Sequence, residues 1–476
     1  MSHTDLAYVA AVLGALASFP VLLGGNRVIV SGLALLAAAE VGLALALVPG
    51  RDLKPFLTSP ARAGALVGLL LVFIGVAFLF TRHPGIAPVL ILLVAPFRIG
   101  VTLGSQYARL LLPLYGVLAA AALALAWRLF RGAPVRRIER SLAVPSAALI
   151  CLFALSLLWA KDAHAGSIEL AAFIFPFLAL VAVVVHEPSR PWLPKALAFV
   201  LVGEAVAFAT FGLWEEATHR VFFSGSLEVS NIYNNYFRTN SLFYDPNIYG
   251  RHLALALSVL VVLMWKRRLR IAIAAALIAF IWVGLYYSYS LSSLAALFVV
   301  VVGITLVVGG RRTRRAIAVC VAALALGGMS LAVVGFQGHS LRNLTSGRSH
   351  LASITFDVFR SHPLIGVGVG SQPLAAKEES ASSRSAKRDT SHTTPLTVAA
   401  ELGIVGIAAY LAWFVGAFVT LRKAWKREAT IGLALAAVFG VLTVHSLTYS
   451  GFFEDPITWG ALALAAACLP RIARTE

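Results

Sequence analysis

Apolar runs of 18 or more residues recur from Leu6 to Leu469, and they leave few options for the fold. A run of that length spans the hydrocarbon core of a bilayer when it is helical, and no water is present there to satisfy free backbone groups. Barrel strands would be about ten residues long and alternate in polarity, unlike these runs rich in Leu, Ala and Val. The reading is an all-α polytopic integral membrane protein. Of 476 residues, 59% are hydrophobic and only 13% charged, so most of the chain is solvated by lipid.

A net charge of +18 would suit nucleic acid, but the basic residues fall in short clusters between apolar runs, the pattern that membrane insertion selects. No nucleic-acid partner is expected. By the positive-inside rule the clusters at 128–140, 266–270, 311–315, 422–427 and 471–474 face the cytoplasm. Between them the runs come in even numbers: four (141–159, 165–186, 193–214, 250–265), two (271–288, 291–310), two (316–336, 395–420) and two (430–449, 457–470). This puts 215–249 and 337–394 on the outer side and the C-terminus inside. The first 127 residues hold five apolar runs with weak flanking charge, so their parity stays open and some are candidates for re-entrant or broken helices. The total is about 12 to 15 spans. Four regions follow: N-terminal helices (1–127), central helices with an outer loop at 215–249 (128–336), a large outer loop (337–394) and C-terminal helices (395–476). No removable signal peptide is read at the N-terminus. Cys151, Cys320 and Cys468 lie far apart in apolar runs, without disulfide or metal spacing.

The largest hydrophilic island, 341–394, nearly ends on His392, which is followed by Thr393, Thr394, Pro395 and an apolar helix. A titratable imidazole thus stands where a water-facing loop meets the membrane. Within the loop, Leu351, Ile354, Thr355, Val358 and Phe359 share one helical face, and Ser349, His350, Ser353, Asp357 and Arg360 the other. This amphipathic helix lies on the membrane surface or packs against the protein's own helices. Thr345, Ser346 and Gly347 open it with Arg348 in its first turn, suited to an anionic ligand or to anchoring on lipid phosphate. Gly366, Gly368 and Gly370 form a G-x-G-x-G pattern, but no strand or βαβ unit surrounds them, so they do not read as a dinucleotide loop. Residues 377–391 lack apolar periodicity and read as a mobile connector.

Asp245 reads as an N-cap with Pro246 opening a span, and Thr394-Pro395 and Asp455-Pro456 repeat the arrangement. Three helix N-termini therefore open on the outer side, where partial positive charge and free N–H groups favour anions. Together with Arg238, Arg251 and Arg348 they make a site suited to phosphate. The same field disfavours an imidazolium and should keep His392 neutral, as a general base must be. The alternative is a capping histidine without chemistry. Asn247 either orients a diphosphate or sugar hydroxyl or is an ordinary first-turn residue. Arg98 and Glu169 lie in or near apolar runs, where a charge needs a partner or aqueous access, and Arg98 is a further candidate contact. Neither outer loop has an Asp-x-Asp pair, and the adjacent carboxylates Glu215/Glu216, Glu378/Glu379 and Glu454/Asp455 lack the other ligands of a divalent cation site. No metal or cofactor is expected.

These loop residues resemble the O-antigen ligase and polymerase superfamily of bacterial membrane glycosyltransferases over roughly 141–406. The Ser346-Gly347-Arg348 opening, followed by His362-Pro363-Leu364-Ile365-Gly366-Val367-Gly368, looks like the family's loop signature, and Asp245-Pro246-Asn247 like its partner turn. His392 precedes Gly403 by eleven residues, with Gly406 three further on, which is similar to the ligase pattern, although Thr393 stands where Asn, Ser or Gln is usual. Polymerases tend to place a glycine eleven residues after an arginine in each outer loop. Here Gly250 is twelve after Arg238, and Phe359 is eleven after Arg348, which favours ligase.

The resemblance implies a GT-C-like fold in a bacterial inner membrane, with its active site facing the periplasm. It implies a glycan donor on undecaprenyl diphosphate, a lipid A-core acceptor and surrounding membrane lipids as partners. In that reading His392 takes the acceptor's proton while Arg238 and Arg348 stabilise the departing diphosphate, giving inversion without ATP or metal. A polymerase, a protein O-oligosaccharyltransferase of the same superfamily and a polyprenyl-glycan transporter are the competing readings.

Overall fold

The computed structural model describes residues 2–48, 60–103, 106–188, 190–233, 236–316, 348–379 and 391–469. In chain order the helices are α1 (His3–Leu23), α2 (Asn26–Leu47), α3 (Pro60–Arg82), α4 (Ile86–Val94), α5 (Leu112–Phe130), α6 (Arg140–Trp159), α7 (Ala163–His186), α8 (Leu193–Thr218), α9 (Gly225–Tyr233), α10 (Pro246–Trp265), α11 (Ile271–Tyr287), α12 (Leu291–Val308), α13 (Arg348–Ser361), α14 (Gln372–Glu379), α15 (Thr394–Arg427), α16 (Ala429–Ser446) and α17 (Pro456–Ala467). One antiparallel hairpin, β1 (Ile99–Leu103) and β2 (Gln106–Leu110), interrupts them between α4 and α5. Among the described residues ten helices are long and apolar enough to cross a membrane, and three shorter apolar helices fall in α3, α11 and α17. The protein is an all-α, multi-pass membrane protein. From residue 141 onward each expected span falls on a helix, except 316–336, which lies outside the described residues from 317 on.

The open question in the first 127 residues centres on α4. Its nine residues reach only about 14 Å, too short to cross, and the chain then turns through the β hairpin, pairing Ile99 with Leu110 and Leu103 with Gln106. The hairpin carries Arg109 onto the face of Tyr244, 4.1 Å from its ring centroid, beside the cap of α10.

α7 and α10 form the centre of the bundle. Both are apolar on nearly every side, as a helix surrounded by other helices must be. α1, α5 and α17 pack on α7, and α8, α11, α12 and α16 pack on α10. α15 joins the two groups through its contacts with α6, α16 and α17.

α15 is broken at Gly403, where φ is 64° and ψ −159°, a conformation open to glycine alone. In an unbroken helix Ile404 and Val405 would donate to Ala400 and Glu401. Here Ile404 N donates to Pro363 O (2.8 Å) and Val405 N to Leu364 O (3.4 Å), while Ala400 O and Glu401 O accept from Val367 N and Gly368 N, both at 2.9 Å. An extended piece of the loop is thus laid into the gap. On its other side Val367 O accepts from Lys161 N (3.1 Å), and Val369 N donates to Ser156 Oγ (3.1 Å). The backbones are so close that a Cβ on Gly368 would stand 2.4 Å from Ala160 Cα. The G-x-G-x-G pattern is this close crossing, and Gly366 and Gly370 share its left-handed backbone.

The amphipathic stripe of α13 turns inward. Thr355 and Val358 are buried, with Val358 against Val367, Ala375 and Ala400, so of the two expectations the helix follows the one in which it packs on its own chain. Residues 345–347 lie outside the described residues. Lys377 to Glu379, read above as connector, form the last turn of α14, and Lys161 Nζ meets Glu378 Oε2 at 2.8 Å; residues 380–390 lie outside the described residues.

Gly403→Ala should destabilise the protein by at least about 1–3 kcal/mol, from backbone strain alone, and a Cβ there would also meet Leu364 C at 2.3 Å. Gly203 on α8 has open space around it, so Gly203→Ala should be neutral or stabilise by up to about 1 kcal/mol. Thermal unfolding in detergent checks both; equal midpoints for the two variants would discard the strain argument.

Candidate functional site

α10, α12, α15 and α17 begin at the same end of the bundle, and their first turns frame the candidate site. Asp245 caps α10: Oδ1 accepts from the backbone N of Asn247 (2.7 Å) and from its Nδ2 (3.0 Å), and Oδ2 accepts from the hydroxyl of Tyr449 (2.9 Å). Ser290 caps α12 and donates to Asn247 Oδ1 at 3.0 Å. The Asn247 amide is therefore held at both ends, tying the starts of two spans together. Gly250 permits that approach, since a Cβ there would lie 2.9 Å from Ser288 Oγ.

Arg238 and Arg348, remote in sequence, are brought to one serine-rich segment. Arg238 Nε donates to Ser288 O (3.2 Å), on the connection between α11 and α12, and Arg348 Nη1 to Ser292 Oγ (3.3 Å), in the first turn of α12. Burial pulls the Arg238 guanidinium below its ordinary range; Asp245 and Tyr236 oppose that shift, and the charge on Arg348 adds to it. Two cations whose fields overlap in a half-buried position favour an anion between them. The turn is itself strained: Tyr289 adopts φ 48°, with the rings of Tyr236 and Tyr286 at 4.5 and 5.7 Å.

The loop carrying Arg238 is organised from inside. Glu215, fully buried at the end of α8, accepts from three backbone amides: Ser241 (2.7 Å), Asn240 (2.9 Å) and Phe222 (3.0 Å). Asn231 on α9 clasps Arg238 itself, accepting from its N (3.1 Å) and donating to its O (3.0 Å). Thr239 N donates to Tyr287 O at 3.1 Å, fastening the loop to the α11–α12 connection.

His392 stands two residues before α15, its ring centroid 6.3 Å from that of Tyr449. Burial, followed by the charge on Asp245, holds the Tyr449 phenol well above its ordinary range, so it remains a donor to that carboxylate. Tyr449 thus connects His392 to Asp245, and Asp245 acts electrostatically on Arg238. The three expected helix N-termini differ in one respect. Those of α10 and α17 are capped by their own aspartates, Asp245 and Asp455, which accept from the first-turn amides of Asn247 and Ile457. Thr393 makes no side-chain cap for α15. Only this last N-terminus keeps the anion preference that was expected of all three.

Arg251 and Arg98 are committed elsewhere. Arg251 is buried and pairs with Asp455 at 2.7 Å, locking α10 to α17. Arg98 donates to Glu454 O (3.0 Å), lies 3.7 Å from its carboxylate and sits over the ring of Phe173. With His252 and Phe243 the two arginines line a cavity of about 20 Å³, room for a single water. They position helices beneath the site. Among the described residues no three His, Cys, Asp or Glu side chains group as metal ligands.

Sequence reasoning missed Tyr449, Glu215 and the serines of the α11–α12 turn. The signal for the serines was Ser288-Tyr289-Ser290-Leu291-Ser292-Ser293 itself, a polar interruption between two spans that read only as a boundary.

These features describe a multi-pass helical membrane protein with Arg238, Arg348 and His392 as a candidate site at one end of its bundle. Residues 250–411 match the family model described as O-Antigen ligase, so over this segment the chain is similar to that family. It runs from the first turns of α10 into α15, so it includes the serine turn, Arg348 and His392, while Arg238 precedes it and Tyr449 follows it, beyond α16. The match supports ligase- or polymerase-type function in general. No curated protein matches the chain.

Glu215→Gln keeps one acceptor oxygen and turns an NH2 group toward amide donors, so it should destabilise the protein by about 1–3 kcal/mol. The 219–245 segment should become the first site of protease cleavage. Limited proteolysis of the two proteins checks this, and identical cleavage patterns would remove Glu215 as the organiser of the loop.

Proposed function

We propose that the protein is an O-antigen ligase, transferring a glycan from undecaprenyl diphosphate to a lipid A-core acceptor at the periplasmic face of the inner membrane. The observation that carries this reading is that Arg238 and Arg348 each hydrogen-bond to the serine-rich segment 288–292, which ends α11 and opens α12. Their planar, multiply donating groups suit the two oxygens of a phosphate. His392, beside an N-terminus without a side-chain cap, supplies the base.

In the reaction the acceptor oxygen bonds to the anomeric carbon and its proton passes to His392. The bond to the diphosphate breaks, leaving its electron pair on the leaving oxygen, where the two arginines stabilise the charge. A single displacement inverts the anomeric centre. The donor is already activated by its diphosphate linkage, so no ATP is consumed. Tyr449 and Asn247 act as positioning residues: the first holds Asp245 and packs against His392, and the second fixes α10 to the serine turn.

The test is transfer by the purified protein supplied with both lipid substrates. His392→Ala should lower turnover by about 10²–10⁴ while leaving thermal unfolding unchanged; undiminished transfer would remove His392 as base. Arg348→Lys keeps the charge but loses the fork, and should cost at least about tenfold. Normal turnover in that variant would leave Arg348 an anchor on lipid phosphate. Elongation of a second undecaprenyl-diphosphate glycan in place of the lipid A-core acceptor would make the protein a polymerase, and translocation without transfer a transporter.

A further inference from the structure

A large space among the described residues lies away from His392, which does not line it. A cleft of about 1460 Å³ opens between α4, α8, α16 and α17, beyond the roughly 300–1,000 Å³ of pockets for small ligands. It extends from Pro456, in the first turn of α17, to Leu469 past its end, and so follows the whole length of that helix. Its walls are apolar for most of that depth, with Ile91, Leu201, Val206, Leu435, Val438 and Leu464 among them.

The end opposite the candidate site is different. Arg136, Arg190, Lys195, Arg268 and Arg427 come from four separate places in the chain and converge on the mouth of the cleft. Two carboxylates share this rim. Glu187 is already held by Arg128 (2.8 Å) and by the backbone N of Gly85 (2.7 Å), and Arg136 donates to Ala467 O (3.2 Å), which leaves Glu428 beside Arg190, Lys195, Arg268 and Arg427. Among the described residues no ion pair joins a carboxylate to Arg190, Lys195, Arg268 or Arg427, all four of which are exposed.

We propose that the cleft binds an anionic phospholipid, its phosphate headgroup among these cations and its acyl chains along α8, α16 and α17. A soluble anion would use the rim and not the apolar walls. A zwitterionic lipid would bring its own ammonium group against these cations. Basic pockets between membrane helices recognise anionic headgroups on these grounds. The bound lipid would brace α16 and α17, which lead to Tyr449 and Asp455 at the other end of the bundle.

The test uses the full-length protein reconstituted in vesicles of phosphatidylethanolamine and phosphatidylglycerol, extracted, and weighed with its bound lipid by native mass spectrometry. Wild type should retain phosphatidylglycerol in preference to phosphatidylethanolamine. Arg190→Gln, Lys195→Gln, Arg268→Gln and Arg427→Gln combined should lower that occupancy by at least about tenfold. Neutralising Arg311, Arg312, Arg314 and Arg315, a basic cluster that does not line the cleft, should leave it unchanged. If the first variant fails to fold, Gly460→Phe, which fills the trough from the α17 side and keeps the rim, should displace the lipid. Equal retention of both lipids, undiminished occupancy in the rim variant or in Gly460→Phe, or replacement of the phospholipid by added undecaprenyl phosphate would each overturn the proposal.

Discussion

Two helical hydrogen bonds given up at Gly403 govern how this protein is assembled. Backbone groups released within a membrane protein must find partners, because lipid offers none. The released amides of Ile404 and Val405 and the released carbonyls of Ala400 and Glu401 are all satisfied by the segment from Pro363 to Gly368. That exchange fixes the register between α15, which begins just after His392, and the chain leading back to α13, which begins at Arg348. Two of the residues central to the proposed chemistry are therefore held by one crossing of two backbones. The glycines make that crossing possible.

The site itself is built on unequal compensation of charge. Asp455 neutralises Arg251, and Glu454 accompanies Arg98, so the arginines beneath the site are paired. Arg238 and Arg348 are held instead by neutral oxygens of Ser288 and Ser292, with Asp245 acting on Arg238 while it is also bonded to Tyr449. The same sorting applies to the helix ends, where aspartates cap α10 and α17 and no side chain caps α15. Positive potential is thus removed around the site and retained within it, which is what selective recognition of an anion needs.

Much of the architecture was legible in the residues because a bilayer imposes one length and one secondary structure on each crossing. The spans after residue 141 followed from run length and the basic clusters, and the Asp-Pro pairs marked the starts of α10 and α17. Arg238 and Arg348 were grouped with Arg251 from the outer-side loops and helix N-termini, and the serines that gather the first two were not foreseen, since neither periodicity nor composition reports which loops meet. Arg251 shows the same limit: an arginine near a helix start reads alike whether it is open to a ligand or, as here, buried against Asp455. The role of Gly366, Gly368 and Gly370 was hidden for a different reason. Their partners lie more than thirty residues downstream in α15 and some two hundred upstream in α6 and α7, and a local pattern carries no record of either.

The crossing at Gly403 also bears on biogenesis. Ribosomes deliver Pro363 to Gly368 before α15, so the repairing strand already exists when the helix it completes leaves the insertion machinery. Until the two meet, the amides of Ile404 and Val405 have their helical partners, Ala400 and Glu401, to bond with, so the break at Gly403 belongs to the joined state. The kink in α15 is thus a late feature of assembly, made when the extended segment takes the place of two helical bonds.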